Sequence, residues 1–180
     1  GGFADAMNAI TALALHKDAI FAATNDGVYR LPDGHLNWQT CFDDQRPATC
    51  LHVVSDALFV GLVGGVRYSY DGGLSAITRP LSSPPPFPVV IASSPVYEDD
   101  GVIVMGTLDD GLFRSDDRGQ YWTPWNFGLL ELEVLALVFI DPETLLAGTS
   151  GGIFRSTNGG RAWRETTFST DHAPVLSLAY

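Results

Sequence analysis

One unit of about forty residues is written four times along this chain, and no other feature narrows the possible folds as far. The last copy, Leu145–Trp163 (LLAGTSGGIFRSTNGGRAW), sets the pattern: an apolar stretch, a glycine turn, a second apolar stretch, a tight polar turn and a tryptophan. Val104–Trp122 (VMGTLDDGLFRSDDRGQYW), Phe59–Ala76 (FVGLVGGVRYSYDGGLSA) and Phe21–Trp38 (FAATNDGVYRLPDGHLNW) repeat the order. The residue closing the first stretch is Thr149, Thr107, Leu62 or Thr24, at separations of 42, 45 and 38. An apolar run precedes each copy: Ile10–His16, Cys50–Val54, Val89–Ala92 and Val134–Ile140. A further run, Val175–Tyr180, ends the sequence. These runs are apolar at nearly every position, as strands covered on both faces are. The reading is therefore all-β, a β-propeller of four-stranded blades at about 9–42, 49–80, 88–125 and 133–168, with 174–180 as the inner strand of a fifth.

The polar turn carries chemistry. Ser156, Asn158, Gly160 and Trp163 share the frame S-x-[DN]-x-G-x-x-W with Ser115, Asp117, Gly119 and Trp122. An Asn or Asp there can accept bonds from the turn's own N–H groups, and Gly accepts a positive φ. The second copy keeps Ser69, Asp71 and Gly73 but has Ala76 for Trp; the first keeps only Asp33 and Trp38. Both corners are expected to be looser.

This frame resembles the Asp-box, or BNR repeat, of sialidases, sortilin-type receptors, xyloglucan-cleaving glycosidases and photosystem II assembly-factor propellers. The string A/M-G-T-x-x-G-[IL]-F-R-S is similar to bacterial WD/YVTN/BNR-like repeat proteins. The resemblance runs over residues 10–168. It implies a propeller in which the box is a structural corner away from the ligand face.

The chain's charge narrows its partners. Ten Lys and Arg against 21 Asp and Glu leave a net charge of −11. Nucleic acid and anionic membrane surfaces both need cations on the protein, so both are disfavoured. No apolar run approaches the ~18 residues that cross a bilayer. The compartment is left open, with a lean to an extracytoplasmic one.

Candidate site residues fall on the loops. The turns between second and third strands, together with the inter-blade links, would present Asn25, Asp26, Asp43, Asp44, Arg46, Asp109, Asp110, Trp125 and Asp171 on one face. Such a mainly acidic, partly aromatic surface suits a basic or polar protein, or a carbohydrate stacked on Trp125; packing between blades is the favoured role for that Trp. Arg30, Arg114 and Arg155 recur at one blade position. They form either a cationic arc or, as favoured, ion pairs inside each blade. Tyr29-Arg30-Leu31-Pro32 resembles the sialidase Y/F-R-I-P motif, but the repeat register alone accounts for Arg30.

Other features have plainer readings. Cys41 and Cys50 are expected as two buried thiols, too far apart across a blade for a disulfide unless the loop folds back. His16 and His52, on inner strands, are expected as buried and hydrogen-bonded rather than metal-bound; His35 and His172 fall in turns. Leu81–Pro88 reads as a stiff spacer, and Glu98–Gly101 as a solvated acidic turn rather than a calcium loop. No helix of useful length, cofactor or metal is expected. The favoured function is a non-catalytic scaffold; the alternative is a piece of a sialidase-like or xyloglucanase-like glycoside hydrolase. Four blades and one strand suggest part of a longer chain, or else a homodimer completing a ring of eight.

Overall fold

Strand 2 of each repeat sits at the centre of a blade. In the computed structural model, which describes residues 9–42, 46–80, 86–167 and 173–180, it is buried at all or all but one of its residues in every blade. The chain divides into two compact units, Gly1–Pro85 and Pro86–Tyr180.

In the first unit, β1 (Ile10–His16), β2 (Ala19–Thr24), β3 (Gly27–Pro32) and β4 (Gln39–Phe42) form one antiparallel sheet in sequence order. A second sheet holds β5 (Ala48–Val54), β6 (Ala57–Leu62), β7 (Gly65–Ser69) and β8 (Ile77–Pro80). Phe21, Ala19, Ala23 and Val28 from the first sheet pack on Leu58, Val60 and Leu62 from the second, with Leu51 and Val53 partly buried beside them. All six residues of β6 are buried, as expected of a strand covered on both faces.

The second unit repeats the plan. β9 (Pro88–Ser93), β10 (Ile103–Thr107), β11 (Leu112–Ser115) and β12 (Thr123–Pro124) make one sheet. β13 (Val134–Phe139), β14 (Leu145–Thr149), β15 (Ile153–Ser156) and β16 (Arg164–Glu165) make the other. Their shared core joins Ala92, Val104 and Leu112 to Leu137, Phe139, Leu145, Ala147, Phe154 and Trp163.

Two recurring devices bind this plan to the sequence. The register of each inner strand slips at its second residue, passing over Thr11, Thr49, Val89 and Leu135. A bulge at the same place in four sheets twists each inner strand alike. In three blades a Thr clasps the turn between strands two and three: Thr24, Thr107 and Thr149 each donate to the carbonyl of the glycine across the turn, Gly27, Gly111 and Gly152. Leu62 replaces that Thr in the second blade, and no such bond is possible there.

The polar corner is the better-defined device. Ser115 Oγ donates to Asp117 Oδ1 at 2.7 Å and accepts from Gly119 N at 2.8 Å. Asp117 Oδ1 also accepts from the N–H groups of Gln120 and Tyr121. Ser156, Asn158 and Gly160 repeat this, Ala162 N–H supplying the last bond. Contrary to the expectation of looseness, Ser69, Asp71 and Gly73 build the same corner in full, and the Ser75 hydroxyl adds one bond to Asp71. The Ser, the acid and the Gly close the turn without the Trp, so Ala76 does not open it. In the first blade Leu31 stands in the Ser position, and Asp33 Oδ1 holds only Gly34 N–H among the corner bonds of this kind. Ser115→Ala should cost ~1–3 kcal/mol, because the buried Gly119 N–H loses its acceptor; urea unfolding measures it.

One other expectation is amended. The acidic stretch after Val96 forms one helical turn, α1 (Tyr97–Asp100), closed by Gly101 at φ 64° with its N–H on Tyr97 O. Asp100 is not simply solvated: it accepts from Ser94 Oγ at 2.6 Å and from Val102 N–H at 2.9 Å. Residues 174–180, expected as the inner strand of a fifth blade, have no second strand of that blade to pair with among the described residues, and Val175 N–H donates to Thr149 O at 2.9 Å. Val175 nonetheless lies where an inner strand would start. A Cβ on Gly148 would meet Val175 Cγ1 at 2.7 Å, as one on Gly106 would meet Val134 Cγ1 at 2.7 Å.

Candidate functional site

In the second unit the loop between β10 and β11, the inter-blade link 125–133 and the loop between β14 and β15 are tied into one surface. Gly111 N–H donates to Leu132 O at 2.9 Å, and Asn126 Nδ2 donates to Asp110 O at 2.9 Å. Asn126 Oδ1 accepts from Leu112 N–H at 2.7 Å. Ser150 N–H donates to Glu133 O, and the Glu131 side chain lies against Gly151. The bonds fix loops that carry acids: Asp109 and Glu131 are exposed, Asp110 and Glu133 half-buried. Beside them stand exposed apolar side chains, Phe127 (80%), Leu130 and Leu132. Sequence reading found Asp109 and Asp110; it missed Glu131, Glu133 and the apolar trio, although the string FGLLELE in a link between strands was the available signal.

Trp125 belongs to the same link but is half-buried and turned into the fold. The Arg114 and Arg161 guanidiniums both lie over its ring, at 4.6 and 5.3 Å from the centroid. Its carbonyl accepts from Trp163 Nε1 at 3.1 Å. A ring held this way packs between blades and offers little face to a sugar.

The three recurrent arginines have three different surroundings. Arg114 is buried; its Nε donates to Asp116 Oδ1 at 2.8 Å and its Nη1 to Gly159 O in the next blade's corner. The acid is Asp116, not Asp117, which the turn already uses. Arg30 has Pro32 at the place of Asp116, and its Nε is buried with no hydrogen-bond partner among the described residues. It lines a cavity of about 310 Å³ with Lys17, Asp56, Asp71 and Gly72. Arg155 has Thr157 at that place and is exposed. Among the described residues one register position thus yields a closed ion pair at Arg114, an Arg30 whose Nε is unpartnered, and an exposed Arg155 whose charge helps to lower Asp141.

The first unit's turn residues Asn25 and Asp26 are exposed and Arg46 is half-buried, while Asp43, Asp44, Asp171 and His172 lie outside the described residues. Among the described residues three carboxyl groups are shifted, all downward. Asp71 is held at about 2, chiefly by the Ser69 hydroxyl; Asp56 is lowered by its bond to Lys17 and Asp141 by its bond to Thr144. A general acid for glycoside cleavage requires the opposite shift. Cys41 and Cys50 are free thiols, and burial pushes them up to about 11 and about 12, away from nucleophilic thiolate. His16 Nε2 lies 3.0 Å from Ser55 O, and burial lowers His52 to about 4. Among the described residues no three His, Cys, Asp or Glu side chains are grouped as metal ligands, and no helix is long and apolar enough to cross a membrane.

No family model and no curated protein matches the sequence. Solved structures do. The extracellular domain of a hybrid two-component system, BT4673 of B. thetaiotaomicron, superposes with a TM-score of 0.75 at 15% identity, over 98% of this chain and 25% of its own. An ancestral GH74 enzyme does so at 0.71 and 21%, over 90% of this chain and 24% of its own. YCF48 bound to a D1 peptide gives 0.61 and 17%, over 86% of this chain and 52% of its own. The chain thus spans about a quarter of the first two and about half of the third, and identities this low bear on fold alone. With four antiparallel four-stranded sheets and these neighbours, the chain is a partial β-propeller.

Proposed function

We propose that this chain is a non-catalytic propeller segment of the Asp-box kind, whose loop face in residues 86–180 binds a basic, partly apolar stretch of another protein. The observation that carries this is the set of hydrogen-bonded loops that carry Asp109, Asp110, Glu131 and Glu133 together with exposed Phe127, Leu130 and Leu132. Loops already tied by hydrogen bonds lose little entropy on binding. The apolar trio would supply buried area, and the acids would draw in and orient a cationic partner. YCF48, a propeller of similar fold, is a precedent for peptide binding by this architecture. The Asp-box assignment is supported by the three corners that share one Ser–acid–Gly bond pattern.

The test is fluorescence anisotropy with a labelled Lys- and Leu-rich peptide. Binding should weaken as salt rises, and Asp109→Asn, Asp110→Asn, Glu131→Gln and Glu133→Gln combined should lower affinity about fourfold or more, at ~0.2–1 kcal/mol for each charge. Equal affinity for the quadruple variant, or for a peptide with Glu in place of Lys, overturns the proposal.

The alternative, part of a propeller glycoside hydrolase, draws support from the likeness to the GH74 fold. Turnover of β-glucan or sialyl substrates, abolished by a single Asp substitution, would establish it. Arg30, Arg114 and Arg155 act in our reading at blade boundaries rather than as an arc for an acidic partner. Val175, placed against Gly148 as Val134 is against Gly106, supports a further blade after residue 174.

A further inference from the structure

Arg30 occupies the place of Arg114 at a boundary between two blades but lacks the acceptors that Arg114 uses. The two arginines pair with the same position of the second strand, Phe21 and Val104. Arg114 gives its Nε to Asp116 Oδ1 and its Nη1 to Gly159 O in the next blade's corner. Pro32 stands in the place of Asp116, and Arg30 Nε is buried with no hydrogen-bond partner among the described residues. Gly72 stands in the place of Gly159. A Cβ on Gly159 would meet Arg114 Nη1 at 3.0 Å, whereas nothing lies within 4 Å of one on Gly72, so Arg30 does not reach that corner. A buried charged donor without an acceptor is costly, and any group that supplies the acceptor is bound the more strongly for it.

There is room for such a group. Arg30 lines a cavity of about 310 Å³ between the first and second blades, together with Lys17, Asp18, Asp56, Tyr70 and Asp71. The walls come from the β1–β2 and β5–β6 turns and the corner after β7, the end of the sheets opposite to the turns between second and third strands. Its charges are mixed. Lys17 is paired with Asp56, which leaves Arg30 as the cation to be matched. Asp71 is held in its turn by Ser69, Leu74 and Ser75, while Asp18 enters the described hydrogen bonds only through its backbone carbonyl. A purely anionic ligand would meet these acids as like charges. One that carries a carboxylate and a cationic amine satisfies both signs.

We propose that this cavity binds a free amino acid, whose carboxylate takes on Arg30 the place that Asp116 holds on Arg114 and whose ammonium group faces the Asp18 and Asp71 carboxylates. The site lies within residues 9–80 and stands apart from the loop face of residues 86–180.

Saturation-transfer NMR from the full chain to glycine, L-alanine and L-phenylalanine tests this, with circular dichroism confirming that each variant is folded. At least one of the amino acids should bind with a millimolar or lower Kd, and its C-terminal amide, which lacks the carboxylate, should bind about tenfold more weakly or worse. Arg30→Gln should lower affinity as much. Pro32→Asp puts inside the chain the carboxylate that Asp116 gives Arg114. It should therefore lower affinity about tenfold or more while raising the urea midpoint, a combination that damage to the fold does not produce. Failure of all the amino acids to bind at millimolar concentration overturns the proposal. So does an amide that binds as well as its parent, or full affinity in Pro32→Asp.

Discussion

Trp163→Ala should remove ~3–5 kcal/mol from the stability of the unit formed by residues 86–180, the range for truncating a buried Trp. The side chain is 3% exposed and belongs to the core between the two blades. It also fastens the inter-blade link. Its Nε1 donates to Trp125 O and its N–H to Phe127 O, and a Cβ on Gly128 would run into its own carbonyl. Truncation opens a cavity and releases the link beneath the acidic loop face, so peptide affinity should fall along with stability. Trp122→Ala makes the comparison. That Trp holds the same frame position but is half-buried, and its Nε1 bonds to Gly119 O inside its own turn. Its loss should cost roughly half as much or less, since a partly exposed side chain forfeits less transfer energy and leaves no closed void. Urea unfolding of both variants, followed by circular dichroism, decides the matter: equal losses would mean that burial is not what separates these two residues.

That difference marks how far the sequence could be read. Strand order, blade boundaries and the corner residues followed from periodicity and turn chemistry, because Gly at positive φ and Ser, Asp or Asn as acceptors are demands of the backbone itself. Asp71, Asp117 and Asn158 behave as one local rule in three blades. What could not be read was which blade meets what. Trp122 and Trp163 are identical in frame, and so are Arg30, Arg114 and Arg155, yet burial and pairing differ because a neighbouring blade or a single residue such as Asp116, Pro32 or Thr157 intervenes. The same limit explains the corner at Ala76: its looseness was inferred from a missing Trp, while the bonds that close it are local. The loop face was half legible. Its acids in turns were visible one by one, whereas the union of Asp110, Leu132 and Glu133 depends on hydrogen bonds between segments distant in sequence.

Acid should weaken the unit formed by residues 9–80 in two separate steps, and the first belongs to His52. Burial holds the imidazole at about 4, against about 6.5 for a histidine in an unfolded chain. The unfolded state therefore binds the proton more readily, and stability rises with pH wherever that holds. The contribution is complete above about pH 6.5 and is lost as pH falls toward 4, by ~1–3 kcal/mol in total, because the half-buried ring keeps some contact with water. The second step lies lower. Asp71, held at about 2 by the Ser69 and Ser75 hydroxyls, favours the folded state above the ordinary carboxylate range and loses that effect as pH drops toward 2. His52→Gln removes the titrating group and leaves the Asp71 corner untouched. Urea midpoints of the variant should hardly change between pH 6.5 and 4, while those of the unaltered protein decline; both should fall below pH 4. A decline of equal size in His52→Gln between pH 6.5 and 4 would assign the upper step to another group.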